Sequence, residues 1–543
     1  MKEKYQTWLE KCKKEKELYD ELISIEGNEA EISDRFYRGL EFGTGGLRGT
    51  IGAGTNRMNI YTVGRATFGF GKYLKEKWKN PSVAIAYDSR YKSREFAFST
   101  ASILSSMGIK AYVFNELTPT PVLSYAVRAL KACGGIVITA SHNPKEYNGY
   151  KVYNEKGCQI TDEAAKEITN AIEGVEYFEP YIPNDALINI LNDEIFEQFL
   201  NEIQKLSLRK VEKQFLPKIV YTPLHGTGRR YVLEILNRIG VSDVVLVKEQ
   251  EMPDSAFTTC PYPNPEEREA MNLALQYAKD CDADMFFATD PDADRIGIAV
   301  KETVGEYRFL NGNETGILLM DYMLSAKAEN GTLGQDATVI KTIVTTDMAF
   351  EVAKNYGVQV SEVLTGFKYI GEKMDETDNF VMGMEESYGY LVGKHARDKD
   401  AVSAAMLIVE MCAYYKAQGK TLAEVLDGLY SKYGYYKTEL ISIKYPGEKG
   451  MNDMRLIMNG IRNNPLKTLL SKDIEYSDFL QGVNNLPKSN VLRFRNESVN
   501  VIFRPSGTEP KLKIYLQVKT KDEALLNQTM SSLKKELDWI INV

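Results

Sequence analysis

The sequence predicts three α/β domains in series, with mixed and mostly parallel sheets, followed by a C-terminal α+β domain. Three observations predict it. Short β-rich runs alternate with helical patterns over most of the chain, as in Val83 to Tyr87, then Phe96 to Met107, then Gly135 to Thr139; that alternation implies parallel strands joined by crossover helices. The rhythm restarts at Lys218 to Pro223 and again at Thr338 to Thr345. Near the C-terminus the pattern changes to a period of two. At 543 residues the chain exceeds what one hydrophobic core organises, and roughly 150 residues per domain gives three or four. The boundaries are drawn at 1–192, 193–304, 305–432 and 433–543.

In the first domain, Ala97, Ala101, Leu104 and Gly108 share one face of a helix and point small or apolar groups at a sheet. In the last, Leu512, Ile514, Leu516 and Val518 alternate with Lys511, Lys513, Tyr515 and Gln517, which predicts an antiparallel strand with one wet face. Thr520 and Glu523 are spaced as a capping box ahead of Leu526, Met530, Leu533 and Leu537, a single helical face.

Composition excludes several classes. Hydrophobic residues make up 43% and charged ones 26%, as in folded rather than disordered proteins. A formal charge of -8 argues against generic nucleic-acid binding, which needs a basic surface. The start is charged throughout, without a secretory signal pattern. The greasiest runs are broken by Asp321 and Glu410, so no membrane span is expected. Six dispersed cysteines without a CxxC pair fit free thiols in the cytoplasm. Only His142, His225 and His395 are present, so a metal would have to rely on carboxylates.

Five loops carry the chemistry. TASHNPKEYNGYK, residues 139 to 151, follows the apolar strand GIVI, and a loop at the carboxyl end of a strand is where open α/β sheets bind ligands. Ser141 there is either a turn residue or a nucleophile with Lys151 as a nearby cation. FFATDPDADR places Asp290, Asp292 and Asp294 at alternate positions after a strand. Three carboxylates so close repel unless a cation joins them, and oxygen-only ligands favour magnesium; the alternative is a solvated acidic turn. An EF-hand would need Gly and Glu where Arg295 and Lys301 stand, and the aspartate-nucleophile phosphatase pattern would need Thr or Val at Asp294. FGTGGLRGTIGAGTNR, with Arg48 and Arg57, is either a flexible turn or an anion-approaching backbone, and is neither a Walker A nor a dinucleotide loop. RPSGTEPK gathers Arg504, Ser506, Gly507, Thr508 and Lys511, a guanidinium fork, hydroxyls and amides suited to a phosphate dianion, or forms an Asx/Ser-type turn. MEESYGY offers Glu385 and Ser387 to sugar hydroxyls, or is a polar turn.

Together FGTGGLRG, TASHNP with YNGYK, DPDADR, EESYG and RPSGTEPK resemble the α-D-phosphohexomutase family, in the family's own order and across all four inferred domains. Within it the chain is most similar to the glucose-type phosphoglucomutases and the related phosphopentomutases or bisphosphate synthases. The resemblance implies four domains around a central cleft. It implies that Ser141 is the phosphoserine and that Asp290, Asp292 and Asp294 hold magnesium together with a phosphoserine oxygen. Arg48 and Lys151 match basic residues implicated in proton transfer and in steadying the transferring phosphoryl. Arg295 matches an active-site residue, Glu385 and Ser387 the sugar-gripping pair, and Arg504, Ser506, Gly507 and Thr508 the phosphate loop. Lys368, His395, Arg397 and Lys399 match further substrate contacts, and Asp88 with Arg90 a support for the serine loop. Ala293 and Tyr388 depart from residues common in other branches.

The implied activity interconverts glucose 1-phosphate and glucose 6-phosphate through glucose 1,6-bisphosphate, with mannose or pentose phosphates, or bisphosphate synthesis, as alternatives. A phosphosugar phosphatase and a silent sugar-phosphate binding protein are the other classes. A small phosphosugar is the expected partner, with no nucleic acid or membrane, and the chain is expected to be a monomer or homodimer.

Overall fold

The computed structural model describes residues 1–210, 212–445, 447–506 and 511–541. Three sheets follow one another along the chain. The first contains β1 (Leu47–Thr50), β2 (Ser82–Tyr87), β3 (Lys110–Phe114), β4 (Gly134–Ile138), β5 (Tyr147–Asn154) and β6 (Ile188–Leu191), in the order β1-β5-β4-β2-β3-β6. The second contains β7 (Ile219–Thr222), β8 (Val244–Leu246), β9 (Met285–Thr289), β10 (Ile296–Thr303) and β11 (Glu306–Leu310), ordered β11-β10-β9-β7-β8. The third contains β12 (Thr338–Thr342), β13 (Gln359–Val363), β14 (Phe380–Glu385) and β15 (Gly389–Val392), ordered β13-β12-β14-β15.

One arrangement recurs in all three. Strands β2, β7 and β12 each pair in parallel with the next strand on one side and with the third of the set, β4, β9 or β14, on the other. The third strand then turns back into an antiparallel neighbour. The three turn-backs are residues 139–146, 290–295 and 386–388, so the serine, aspartate and Glu-Ser segments occupy the same topological position at the carboxyl end of a strand. That is where an open α/β sheet leaves backbone groups free for a ligand.

The fourth sheet is antiparallel throughout: β16 (Tyr435–Lys444), β19 (Glu475–Asp478), β20 (Leu492–Arg495), β21 (Val499–Pro505) and β22 (Lys511–Thr520), ordered β16-β22-β21-β20-β19. A two-residue hairpin, β17 (Thr468–Leu469) with β18 (Lys472–Asp473), stands apart.

The first-domain helix spans Ser93–Ser106 and buries Ala97, Ala101 and Leu104 completely, while Gly108 lies beyond its end with a positive φ of 78°. Two details of the last domain differ from expectation. Strand β22 is flanked on both sides, and part of its second face is covered: Tyr515 is buried in an apolar cluster with Ile343, Val344 and Leu364, and Gln517 donates to the Val344 carbonyl at 2.8 Å. The second face is therefore buried at Tyr515 and Gln517 and partly exposed at Lys511 and Lys513, rather than wet along its length. The last long helix, Glu523–Glu536, is capped by Asp522, whose carboxylate accepts from the Ala524 amide at 2.9 Å. The Thr520 hydroxyl instead donates to the Asp522 carbonyl, because Asp522 is the residue adjoining the first turn.

All six cysteines are free thiols. Among the described residues no helix is long and apolar enough to cross a membrane.

Candidate active site

Ser141 lies one turn beyond β4 with φ of 54°, a left-handed conformation costing a non-glycine residue about 1–2 kcal/mol. Its surroundings hold it there. The Ser141 amide donates to Thr139 Oγ1 at 2.8 Å, and that hydroxyl donates to Asp88 Oδ2 at 2.6 Å. Asp88 also accepts from the Ser93 hydroxyl and the Arg90 amide, and pairs with Arg90 Nε at 3.2 Å. The buried Arg90 guanidinium donates to the carbonyls of Ser141 and Asn143 at 2.5 Å each and of Pro144 at 2.8 Å. A short segment after β2 thus works as a clamp on the backbone of the serine loop. Arg48 enters from β1, which pairs with β5, and donates to Asn143 Oδ1 at 3.2 Å. Such close pairing needs Gly46, where a Cβ would sit 1.8 Å from the Tyr150 carbonyl oxygen.

The aspartate loop meets the serine directly. The Ser141 hydroxyl donates to Asp290 Oδ2 at 2.9 Å, while Asp290 Oδ1 accepts the amides of Asp294 and Arg295 at 3.0 Å each. Ala293 takes φ of 50°, the conformation glycine adopts without strain. Lys151, on β5, places its ammonium 2.7 Å from Asp292 Oδ2 and 3.6 Å from Asp294 Oδ2. Lys399 Nζ approaches Asp294 Oδ2 to 3.2 Å and Asp398 Oδ1 to 3.1 Å.

The electrostatics follow from burial. All three aspartates are buried. Asp290 is pushed well above the usual carboxylate range by burial and then by Asp292 and Asp294. Burial acts on Asp292 in the same direction, but the Lys151 ammonium overrides it and holds that carboxyl below the usual range. Lys151 stays charged for the reciprocal reason: burial opposes the charge, and Asp292 and Asp294 outweigh it. His142, whose Nδ1 lies 3.2 Å from the Ser141 hydroxyl, is held neutral by burial and by Arg295 and Arg48.

These residues suit a cation. Each aspartate offers one oxygen, all within 4.8 Å of one another. Asp292 Oδ1 and Asp294 Oδ1 are buried without a hydrogen-bond partner, and an unsatisfied buried carboxylate oxygen is costly unless an ion joins it. Hard oxygen donors of this kind fit a hard divalent ion.

The third turn-back docks on the second. Arg295 bridges to Gly389, and the Ile296 amide donates to the Tyr388 carbonyl at 3.1 Å. Tyr388 has φ of 63°, so both residues that depart from the common family pattern occupy left-handed positions. Glu385 accepts the Gly366 amide at 2.9 Å, and its carboxyl is raised by burial against the pull of Lys399 and Arg295. Ser387 follows in the turn, half-buried.

The remaining expected contacts are placed less centrally. Lys368 pairs with Asp162 at 3.3 Å and lies over the Tyr369 ring. Arg397 pairs with Asp375 at 2.7 Å, and its amide donates to Ser124 Oγ. His395 Nε2 lies 2.7 Å from Asp400 Oδ2, the carboxylate whose other oxygen caps the helix Ala401–Lys416. In this structure His395 and Arg397 brace the 394–400 segment, while Lys368 is held on Asp162. Arg504 lies on β21 opposite Lys513, and the Ser506 amide donates to the Lys511 carbonyl at 2.8 Å. Gly507 and Thr508 lie outside the described residues.

Several site residues carry no signal in the sequence. Thr120 opens the helix Thr120–Ala129 and holds Asp292 twice, hydroxyl to Oδ2 at 2.8 Å and amide to carbonyl at 2.9 Å. Glu266 pairs with Arg295. Asp398, the partner of Lys399, also accepts the Tyr153 hydroxyl at 2.7 Å. Each is a single polar residue in an ordinary loop or helix start, and only its distant partner distinguishes it.

Comparison with known proteins gives a consistent picture. Three family models match in sequence order: phosphoglucomutase/phosphomannomutase alpha/beta/alpha domain I at residues 39–178, domain II at 197–305 and domain III at 311–433. A phosphoglucomutase of Staphylococcus haemolyticus is 38% identical over 500 residues, covering 88% of this chain and 90% of its own length. One of Staphylococcus saprophyticus is 35% identical over 522 residues, covering 91% and 94%. Among solved structures, parafusin, a phosphoglucomutase of Paramecium, superposes with a TM-score of 0.71 at 18% identity, covering 93% of this chain and 94% of its own. A phosphoglucomutase/phosphomannomutase family protein of Burkholderia thailandensis gives 0.70 at 18% identity, with 92% and 97% covered. At such identity the structural matches speak for the fold.

Proposed function

This chain belongs to the phosphoglucomutase/phosphomannomutase family, the α-D-phosphohexomutases, and we propose that within it the chain interconverts glucose 1-phosphate and glucose 6-phosphate through a phosphorylated Ser141. The choice of glucose is supported by the phosphoglucomutase relatives at 34–38% identity over most of the chain. The observation that carries the chemistry is the 2.9 Å contact of the Ser141 hydroxyl with Asp290, in a buried triad with two unsatisfied oxygens.

In the proposed cycle the 6-hydroxyl oxygen of glucose 1-phosphate attacks the phosphorus of phosphorylated Ser141. The bond from phosphorus to Ser141 Oγ breaks, and the sugar becomes glucose 1,6-bisphosphate. The hydroxyl proton goes to a base in the site; His142 beside the serine stays neutral, because burial, Arg295 and Arg48 disfavour its protonated form. The bisphosphate then turns over, its 1-phosphoryl passes to Ser141 Oγ, the O1 oxygen regains a proton, and glucose 6-phosphate leaves. A phosphoryl in transfer needs positioning and charge stabilisation more than covalent assistance. Asp290, Asp292 and Asp294 would hold magnesium, which when bound supplies positive charge to offset the phosphoserine. Lys151, kept charged by its aspartates, steadies the phosphoryl rather than accepting a proton. Arg48, beside Asn143, adds a second cation.

Glu385 and Ser387 would grip hydroxyls common to both orientations of the sugar, and Arg504, Ser506, Gly507 and Thr508 would take whichever phosphate is not reacting. Lys368, His395, Arg397 and Lys399 would line the sugar's approach, with Lys399 bound most directly to the aspartate loop.

The test is a panel of sugar 1-phosphates, glucose, mannose, ribose and deoxyribose, with magnesium and with or without the matching bisphosphate. Fastest turnover of the glucose ester, with a primer requirement, supports the proposal. Preference for another sugar would move the assignment within the family, and release of inorganic phosphate at the turnover rate would make the chain a phosphatase.

A further inference from the structure

The fourth sheet meets the third through a buried polar seam away from the reacting groups. Lys341, in the middle of β12 with a side chain 0% exposed, directs its ammonium at Glu362 on β13, at 2.8 Å, and at Asp347, at 3.2 Å. It also donates to the Thr345 carbonyl at 3.0 Å. The other oxygen of Glu362 faces the fourth sheet and receives Arg493 Nη1 from β20 at 3.0 Å. Glu362 is thus held between a buried cation of one sheet and a buried cation of the next, and its carboxyl is pulled down to about 2, the two cations outweighing burial.

The pull continues along β21. Arg493 Nε donates to Asn500 Oδ1 at 3.1 Å, and Asn500 Nδ2 reaches Asp347 at 3.4 Å. Asn500, Ile502 and Arg504 alternate along β21 and share one face of the sheet. Ile502 and Tyr515, directly opposite each other, pack on Ile343, Val344 and Leu364 of the third domain. Arg504 is the next residue on that face, and its charge opposes the upward push of burial on the neighbouring Tyr515 phenol. Arg504 therefore sits toward one end of β21, whose other end is tied through Asn500 and Arg493 to Glu362.

We propose that Glu362 is a positioning residue for phosphosugar binding: clamped between Lys341 and Arg493, it fixes the tilt of β21 and hence the place of Arg504. This rests on the reading of Arg504 as the phosphate anchor. Misplacing an anchor by an ångström weakens binding of the group it holds while leaving the transferring groups in position. A purely structural pair would lower the folded fraction and leave the Michaelis constant of the remaining enzyme alone.

The experiment uses steady-state kinetics of the full chain with glucose 1-phosphate, magnesium and bisphosphate primer, and circular dichroism to establish folding. Glu362→Gln should raise KM about tenfold, with kcat within about threefold of wild type. Arg493→Lys, keeping charge but losing the fork, should recover part of the affinity that Arg493→Gln loses. Inhibition by inorganic phosphate should weaken in parallel. A folded Glu362→Gln enzyme with wild-type KM overturns the proposal, as does a loss confined to kcat. If Glu362→Gln does not fold, the Arg493→Lys and Arg493→Gln pair decides by the same criterion.

Arg504→Ala separates the two ideas. If it raises KM and Glu362→Gln does not, only the seam fails. If Arg504→Ala leaves KM unchanged, the anchor reading fails, and the seam proposal with it.

Discussion

Ser141 Oγ donates a 2.9 Å hydrogen bond to Asp290 Oδ2 across 149 residues of chain. The bond joins the turn-back of the first sheet to that of the second, two loops that occupy the same place in two copies of one topology. It aims the hydroxyl at the group of carboxylates that would hold the metal, so nucleophile and cation site come into register through the packing of two sheets.

Ser141→Ala should lower mutase turnover by about four orders of magnitude or more, as expected when a covalent nucleophile is lost. Thermal unfolding should be nearly unchanged, since the loop is held through the Ser141 amide and carbonyl rather than its hydroxyl. Near-normal turnover in the folded variant would shift the nucleophile to Asp290.

Asp292→Asn should raise the magnesium concentration for half-maximal activity by about 10–100-fold, measured by titrating metal into chelator-treated enzyme. The change also removes the charge that pairs with Lys151. An unaltered metal response would exclude the triad as the ligand set.

Arg90→Met should destabilise the fold by about 3–5 kcal/mol, because it strips bonds from three loop carbonyls and leaves Asp88 buried without its cation. Urea denaturation measures this. A loss below about 1 kcal/mol, within the range of an exposed pair, would show that the clamp does not hold the loop.

Glu386 provides a pH test. Its carboxyl is raised to about 7 by burial and by Glu385, against an ordinary value of 4.5. The folded state thus favours the protonated form, and the corresponding stability is fully present below pH 4.5 and lost as pH rises to about 7. The size is about 3 kcal/mol at most. Urea midpoints of wild type should fall over that window, and those of Glu386→Gln should be flatter. Parallel curves would mean that Glu386 is ionised in the folded state at little cost.

Much of the site was legible in the sequence because its chemistry is packed into short loops. Asp290, Asp292 and Asp294 are three carboxylates within five residues, and their repulsion predicts a cation in any fold. Ser141 is different: taken alone, TASHNP reads more readily as a turn than as a nucleophile, and only the distant aspartate triad and phosphate loop, with the family resemblance they carry, make it a nucleophile. The α/β rhythm and its restarts were also visible, because strands and helices impress their periods on local sequence. Thr120, Glu266 and Asp398 left no such trace.

What the sequence by itself determined, then, is the inventory: three parallel-sheet units, an antiparallel fourth, and the donors and acceptors each loop carries. Tertiary structure alone decided which of them meet. It set Ser141 against Asp290 and Lys151 against Asp292. It put His395 on Asp400 and Arg397 on Asp375, and it buried Tyr515 and Gln517 on the face of β22 that the alternation leaves to solvent. The physical reason is range: periodicity and turn chemistry act over a few residues, whereas a buried ion pair or hydrogen bond forms wherever packing brings two distant groups within about 3 Å.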